Sequence, residues 1–250
     1  MTELFVDDSR VQWAVDGRPA TADAAFDALG SRPLLLLMHG FGSHEGDLIG
    51  LAGHLPAGFV CASPRAPLTA PPPIVGGFSW WPLEIGPNGL PVRQTDPPEF
   101  VGTAPHASAE AVLAWLDALD ARLRERGSAT GLGTVVPMGF SQGGAQVTSL
   151  LRLRPERFAC AVNCSGFLAP GQHDADTVLA SVHPPMFWGR DEADPIIDRE
   201  RIEKLSAWAP AHTALEARLY DGIAHGIGLE ELQDISVFLE HHVPELGGAR

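Results

Sequence analysis

Val135-Val136-Pro137-Met138-Gly139-Phe140-Ser141-Gln142-Gly143-Gly144 reads as a buried strand that turns sharply into a helix, with a serine at the bend. Glycines two residues before and two after Ser141 meet a steric need, because so tight a reversal brings those positions too close for a Cβ. A serine at the start of a helix also lies beside free backbone N–H groups, which favour negative charge developing on a bound carbonyl oxygen. The same pattern fits a Gly-rich turn with an incidental serine, so partners elsewhere in the chain must decide between the two.

Working outward, Leu34-Leu35-Leu36-Leu37-Met38 is a short, wholly apolar run stopped by His39-Gly40-Phe41-Gly42, the signature of a strand covered on both faces. Phe59 to Ala62, Phe158 to Asn163, Pro185 to Gly189 and Leu215 to Tyr220 give further short strands. Ala109 to Arg126, Ala145 to Arg154, Ile202 to Trp208 and Leu229 to His241 carry helical spacing between and after them. Phe5 to Val15 suits edge strands or a hairpin. This alternation predicts an α/β fold with a mostly parallel central sheet and helices on both faces, with residues 1–250 forming one domain.

Half of the 22 prolines fall in the segment from Pro64 to Pro105, which therefore reads as one long ordered loop without an interior strand or regular helix. Its aromatic residues favour a packed loop over a solvated linker.

Composition narrows the function. The formal charge of −14 opposes nucleic acid and anionic membrane as partners, and no apolar run reaches the length of a membrane span. Lys204 is the only lysine. The amino terminus lacks an export signal and predicts a cytoplasmic protein. Cys61, Cys160 and Cys164 sit in apolar runs as reduced core thiols, and their spacing does not suit zinc. We expect no cofactor and no metal. A homodimer is one open arrangement.

Parallel sheets place sites at strand carboxyl ends, so polar groups just after a strand are the ones able to converge on Ser141. His225, in the loop Asp221-Gly222-Ile223-Ala224-His225-Gly226, is the expected base, since a serine hydroxyl needs an imidazole to take its proton. The imidazole needs a carboxylate. Asp194 is preferred because the following Pro195-Ile196-Ile197 would anchor it, with Asp191 as a rival. The backbone N–H groups of Phe41 and Gln142 are the expected oxyanion donors. His39 suits a bracing role better than that of a base, and His44, Glu45 and Asp47 suit loop structure. Phe78, Trp80, Trp81, Phe167 and Leu168 are candidate substrate walls, with packing of the loop onto the sheet as the competing role. An anionic substrate fits poorly with the overall charge, unless Arg65 or Arg93 offsets it locally.

Four separated motifs, LLLLMHGFG with HEGDL, SPRAP, PMGFSQGG, and DPII with YDGIAHGIGLEELQDISVFL, span Leu34 to Leu239. Together they resemble the phospholipase/carboxylesterase family of α/β-hydrolases, which includes the acyl-protein thioesterases and bacterial carboxylesterases. The resemblance implies an α/β-hydrolase fold with no separate cap domain, and a metal-independent esterase or thioesterase using Ser141, Asp194 and His225. The acid loop departs from the commoner family spacing, which would put the acid at Glu192. The Pro- and Trp-rich loop is also unlike that of the compact animal thioesterases. The expected function is hydrolysis of carboxylic esters or thioesters of small to medium apolar substrates through an acyl-enzyme on Ser141. The alternatives are a non-catalytic small-ligand binding protein, or an acyltransferase or peptidase on the same three residues.

Overall fold

A computed structural model describes residues 4–87, 92 and 95–248. Strands β1 (Val11–Val15), β2 (Arg18–Ala20), β3 (Leu34–Met38), β4 (Val60–Pro64), β7 (Val135–Phe140), β8 (Ala161–Cys164), β9 (Pro185–Arg190) and β10 (Ala214–Leu219) form an eight-stranded sheet in the order β10-β9-β8-β7-β3-β4-β1-β2. The six strands from β10 to β4 pair in parallel, and β1 and β2 add an antiparallel hairpin. β1 is thus an interior strand, held between β4 and β2 rather than at the edge. The chain steps outward from β3 to β4 on one side and from β7 through β8 and β9 to β10 on the other, which makes the crevice between the carboxyl ends of β3 and β7 the switch point of the sheet.

All five residues of β3 are buried because their alternating side chains enter two separate cores. Leu34, Leu36 and Met38 join the core built with α1 (Ala22–Leu29), α2 (Ala104–Glu125), α3 (Gln142–Leu153), α4 (Asp176–Val182) and α5 (Arg199–His212). Leu35 and Leu37 face Leu232, Ile235 and Phe238 of α6 (Leu229–His242), together with the 3₁₀ turns at Leu48–His54. Among the described residues, no helix is long and apolar enough to cross a membrane.

α2 begins five residues before the apolar periodicity does, since Thr103 caps it by accepting from the His106 N–H at 3.3 Å and Pro105 occupies its first turn. Within the Pro-rich segment, β5 (Leu68–Thr69) and β6 (Phe78–Ser79) make a small separate ribbon. The described part of the segment otherwise forms irregular backbone, as its proline content requires.

At the switch point, helix α3 is pressed against two strands at once. A Cβ on Gly143 would lie 1.9 Å from the Met38 carbonyl oxygen, and one on Gly139 would lie 2.1 Å from the Gly143 carbonyl oxygen. No side chain can relax such backbone contacts. Gly143→Ala is therefore expected to cost more than about 3 kcal/mol of unfolding free energy in urea titrations, against within about 0.5 kcal/mol for Gly133→Ala, where a Cβ meets nothing.

Two titratable groups are buried beneath the strand ends. Burial pushes the His39 imidazole down to about 4. Glu231, in the first turn of α6, lies against Gly189 and the Cys164 thiol, and burial pushes its carboxyl up to about 7. Between pH 4 and 6.5 the unfolded chain binds the His39 proton more readily, so stability is lost as pH falls, by about 3 kcal/mol in full. Between pH 4.5 and 7 the folded chain keeps the Glu231 proton, so stability is lost as pH rises, by a similar amount of about 3 kcal/mol. The two slopes oppose each other. Removing the second with Glu231→Gln is expected to leave a stability that climbs from pH 4.5 to 6.5 by about 2 kcal/mol more than in the native chain, read from urea midpoints at those pH values.

Candidate active site

Ser141 stands between β7 and α3 with φ 54° and ψ −113°, a backbone conformation that a non-glycine residue holds only where its surroundings enforce it. The enforcement is visible. The Ser141 N–H donates to the Cys164 carbonyl at 2.9 Å and its carbonyl accepts the first turn of α3 from Ala145 at 3.0 Å. Asn163 of β8 clamps the same turn, accepting from the Gly166 N–H at 2.8 Å and donating to the Gly144 carbonyl at 3.1 Å.

The loop after β10 brings His225 to this serine. His225 Nε2 lies 2.9 Å from Ser141 Oγ, and His225 Nδ1 lies 2.7 Å from Asp194 Oδ2. Because a carboxylate can only accept here, Nδ1 carries the proton, which leaves Nε2 free to accept from the hydroxyl. The imidazole rests on the Phe140 ring, with centroids 4.8 Å apart.

Asp194 is held on its other side by the Ile196 and Ile197 N–H groups, which donate to Oδ1 at 2.8 and 3.0 Å. The Pro195-Ile196-Ile197 anchor thus acts through its backbone. Burial works to raise this carboxyl, but the His225 bond and the two N–H bonds outweigh it and keep the pKa below the usual range.

The two rival acids have separated places. Asp191 does not reach the imidazole. Its Oδ1 accepts from the Ala193 N–H at 2.8 Å and its Oδ2 from the Ala224 N–H at 2.7 Å. Those backbone bonds, Ala193 first and then Ala224, also lower its pKa. Ala224 precedes His225 and has φ 52°, so Asp191 ties a strained residue of the histidine loop to the loop that carries Asp194.

His39 is wholly buried, and both of its ring nitrogens are engaged by backbone. Its Nε2 accepts from the Ala66 N–H at 3.1 Å, so its Nδ1 carries the proton and donates to the Gly40 carbonyl at 2.8 Å. It braces the loop after β3 against the loop after β4. Glu45 and Arg65 do the same as a two-pronged ion pair, with Arg65 Nε donating to Glu45 Oε2 at 2.7 Å. Asp47 accepts from the Ser43 hydroxyl at 2.6 Å.

A cavity of about 320 Å³ opens onto Ser141 and His225, and Phe41 and Gln142 line it. Its apolar walls are Pro73, Ile74, Leu83, Ile85, Phe140, Phe167, Ile196 and Ile197. Of the five wall residues expected from sequence, Phe167 alone lines this cavity. Trp81 and Leu168 line an adjoining cavity of about 300 Å³, which shares Leu83, Phe167 and Arg201 with the first. Phe78 lies in a separate surface hollow under Arg65. Trp80 is fully buried and donates from its indole N–H to the His39 carbonyl at 2.8 Å.

Trp80 and Trp81 instead fasten the Pro-rich loop to the serine turn. The Gln142 side chain accepts from the Trp80 N–H at 3.0 Å and donates to the Trp81 carbonyl at 2.9 Å. Of the cations considered as local offsets to the acidic charge, Arg65 is engaged with Glu45 and Arg93 lies outside the described residues. Arg201 of α5, not anticipated from sequence, is the cation on the cavity wall. Nothing short of the path of α5 distinguishes it from its neighbours in Arg199-Glu200-Arg201.

Similar proteins share this arrangement of strands. The esterase PE8 aligns over 97% of this chain and 100% of its own, with a TM-score of 0.64 and 21% identity. A carboxylesterase from Mesorhizobium loti aligns over 85% of this chain and 92% of its own, with a TM-score of 0.63 and 20% identity. Acyl-protein thioesterase 1 from Kluyveromyces lactis is 29% identical over 106 residues, a match that takes in 40% of this chain and 46% of that relative. The family model for phospholipase/carboxylesterase matches residues 99–243, a span that includes Ser141, Asp194 and His225. With more than half of its length in that match and the same fold throughout, the chain belongs to the phospholipase/carboxylesterase family of α/β-hydrolases.

Proposed function

We propose that the protein hydrolyses carboxylic esters or thioesters through an acyl-enzyme on Ser141. The observation that carries this reading is the unbroken hydrogen-bonded line from Ser141 Oγ through His225 to Asp194, set at the mouth of an apolar cavity.

His225 Nε2 takes the hydroxyl proton as Oγ attacks the carbonyl carbon, and Asp194 stabilises the resulting imidazolium. The negative charge moves to the former carbonyl oxygen, which the Phe41 and Gln142 N–H groups hold. As the carbonyl re-forms, the bond to the leaving group breaks and His225 returns the proton to the departing alcohol or thiol. Water then enters, His225 takes its proton, and the second tetrahedral intermediate expels Ser141, which recovers a proton from the imidazolium. Each half uses the same base because Nε2 faces the reacting atoms throughout.

The apolar walls support uncharged chains next to the reacting carbonyl, since each methylene removed from water there contributes about 0.8 kcal/mol. Asp191 acts in this scheme as a positioning residue for the histidine loop.

Ser141→Ala is expected to abolish turnover of p-nitrophenyl esters and labelling by a fluorophosphonate probe, and retained turnover would sink the assignment. A second experiment separates the two acids. Asp194→Asn is expected to lower kcat/KM by about 10⁴ while the melting temperature holds. Asp191→Asn is expected to lower the melting temperature by a few degrees, with a much smaller loss of rate. The reverse pattern would transfer the acid's role to Asp191.

A further inference from the structure

We infer that Arg201 recognises a compact anion on the substrate, a carboxylate or a phosphate carried by the chain that fills the apolar cavity. The inference rests on the hydrolase reading given above and adds the substrate class.

Arg201 lies on the wall of the cavity that Ser141 opens into, seven residues beyond Asp194. Its side chain is 26% exposed, so it is half-buried at the cavity wall and carries five N–H donors. Of the acids around it, Glu203 pairs with Arg199 and Glu200 with Lys204, which leaves the N-cap Asp198 as its loose ion-pair partner. Asp198 caps the helix, accepting from the Arg201 backbone N–H at 2.9 Å, and the Asp198 carboxylate stays 3.6 Å from Arg201 Nε. That separation is beyond a hydrogen bond. Among the described residues, the guanidinium has no acceptor within hydrogen-bond distance.

The contrast with the other cations nearby is informative. Arg65 is doubly bonded to Glu45, and Lys204, one turn along α5 from Arg201, is paired with Asp96 and with Glu200 at 2.8 Å. Arg201 has only the loose 3.6 Å ion pair with Asp198 and lies over the Phe167 ring, 4.9 Å from its centroid, and Phe167 is a wall shared by both cavities. The ring holds the guanidinium in place without occupying the N–H groups in its plane. A planar fork kept in that way and lacking an acceptor suits two-pronged contact with a carboxylate or phosphate. The apolar walls would take the intervening methylenes.

The substrate class follows as an ester or thioester whose uncharged chain ends in an anion a few bonds from the reacting carbonyl. An overall charge of −14 disfavours anions approaching at random, and the Asp47 carboxylate on the same wall is occupied by the Ser43 hydroxyl, so Arg201 acts as a filter rather than a general attractor.

The test compares p-nitrophenyl pentanoate with mono-p-nitrophenyl glutarate, which have the same number of acyl carbons, and with a phosphate-ended ester of similar reach. The native enzyme is expected to favour one or both anionic esters by about tenfold in kcat/KM, expressed in KM. Arg201→Met keeps apolar packing on Phe167 and is expected to bring that ratio to about one, while Arg201→Lys keeps part of it. Arg199→Gln removes the same charge from the same helix at an exposed position outside the cavity and is expected to leave the ratio unchanged. Equal turnover of charged and neutral esters by the native enzyme would overturn the inference, as would a ratio that survives Arg201→Met or falls equally in Arg199→Gln. In each of those outcomes Ser141-dependent hydrolysis of the neutral ester leaves the hydrolase reading standing. Turnover of none of the three esters would overturn both.

Discussion

The contact between the Met38 carbonyl and the bare Cα of Gly143 is the constraint on which the rest of the structure depends. It sets how deeply α3 sinks into the crevice between β3 and β7, and hence where the first turn of that helix points. Helix and strand can approach so closely only because neither Gly139 nor Gly143 carries a Cβ, and the chain must then reverse through a single strained residue. Ser141 is that residue. Its backbone is tied to Cys164 and the turn after it to Asn163, and its side chain is left to face the cavity and His225.

Two layers of support surround this turn, and they act on different groups. His39 and the Glu45–Arg65 pair hold the loop after β3, so that Phe41 meets the cavity. Asp191 and Asp194 hold the loops after β9 and β10 by different means: one accepts backbone N–H groups on both loops, the other meets the imidazole itself. The two acids are three residues apart in sequence, yet the first fixes the path of the chain and the second the orientation of a ring. A carboxylate with two oxygens can do either, and the backbone donors nearby decide which.

The sequence made the sheet legible because wholly apolar runs such as Leu34–Met38 have few structural interpretations, and each ended in a polar loop. Ser141, Asp194 and His225 were legible for the same reason: they follow strands, and parallel strands deliver their ends to one edge. The short helices Ala22–Leu29 and Asp176–Val182 were not, since seven or eight residues give too few turns for a period to stand out. The cavity walls were the least legible. Trp80 and Trp81 are the kind of residue that lines an apolar pocket, but their positions depend on how an irregular segment crosses the sheet, and Gln142 draws their backbone inward. Pro73, Ile74, Leu83 and Ile85 take the place expected for them, and no local pattern marks those four.

The bond between Gln142 and the Trp80–Trp81 backbone has a consequence for how this protein can diversify. A loop pinned at its middle behaves as two independent arms, one carrying Pro73 and Ile74 and the other Leu83 and Ile85. Either arm can change length or composition while the pin keeps Ser141, and the helix that follows it, in register with the sheet. Cavity shape and the serine turn are thereby separable, since the arms and the turn meet only through that pin.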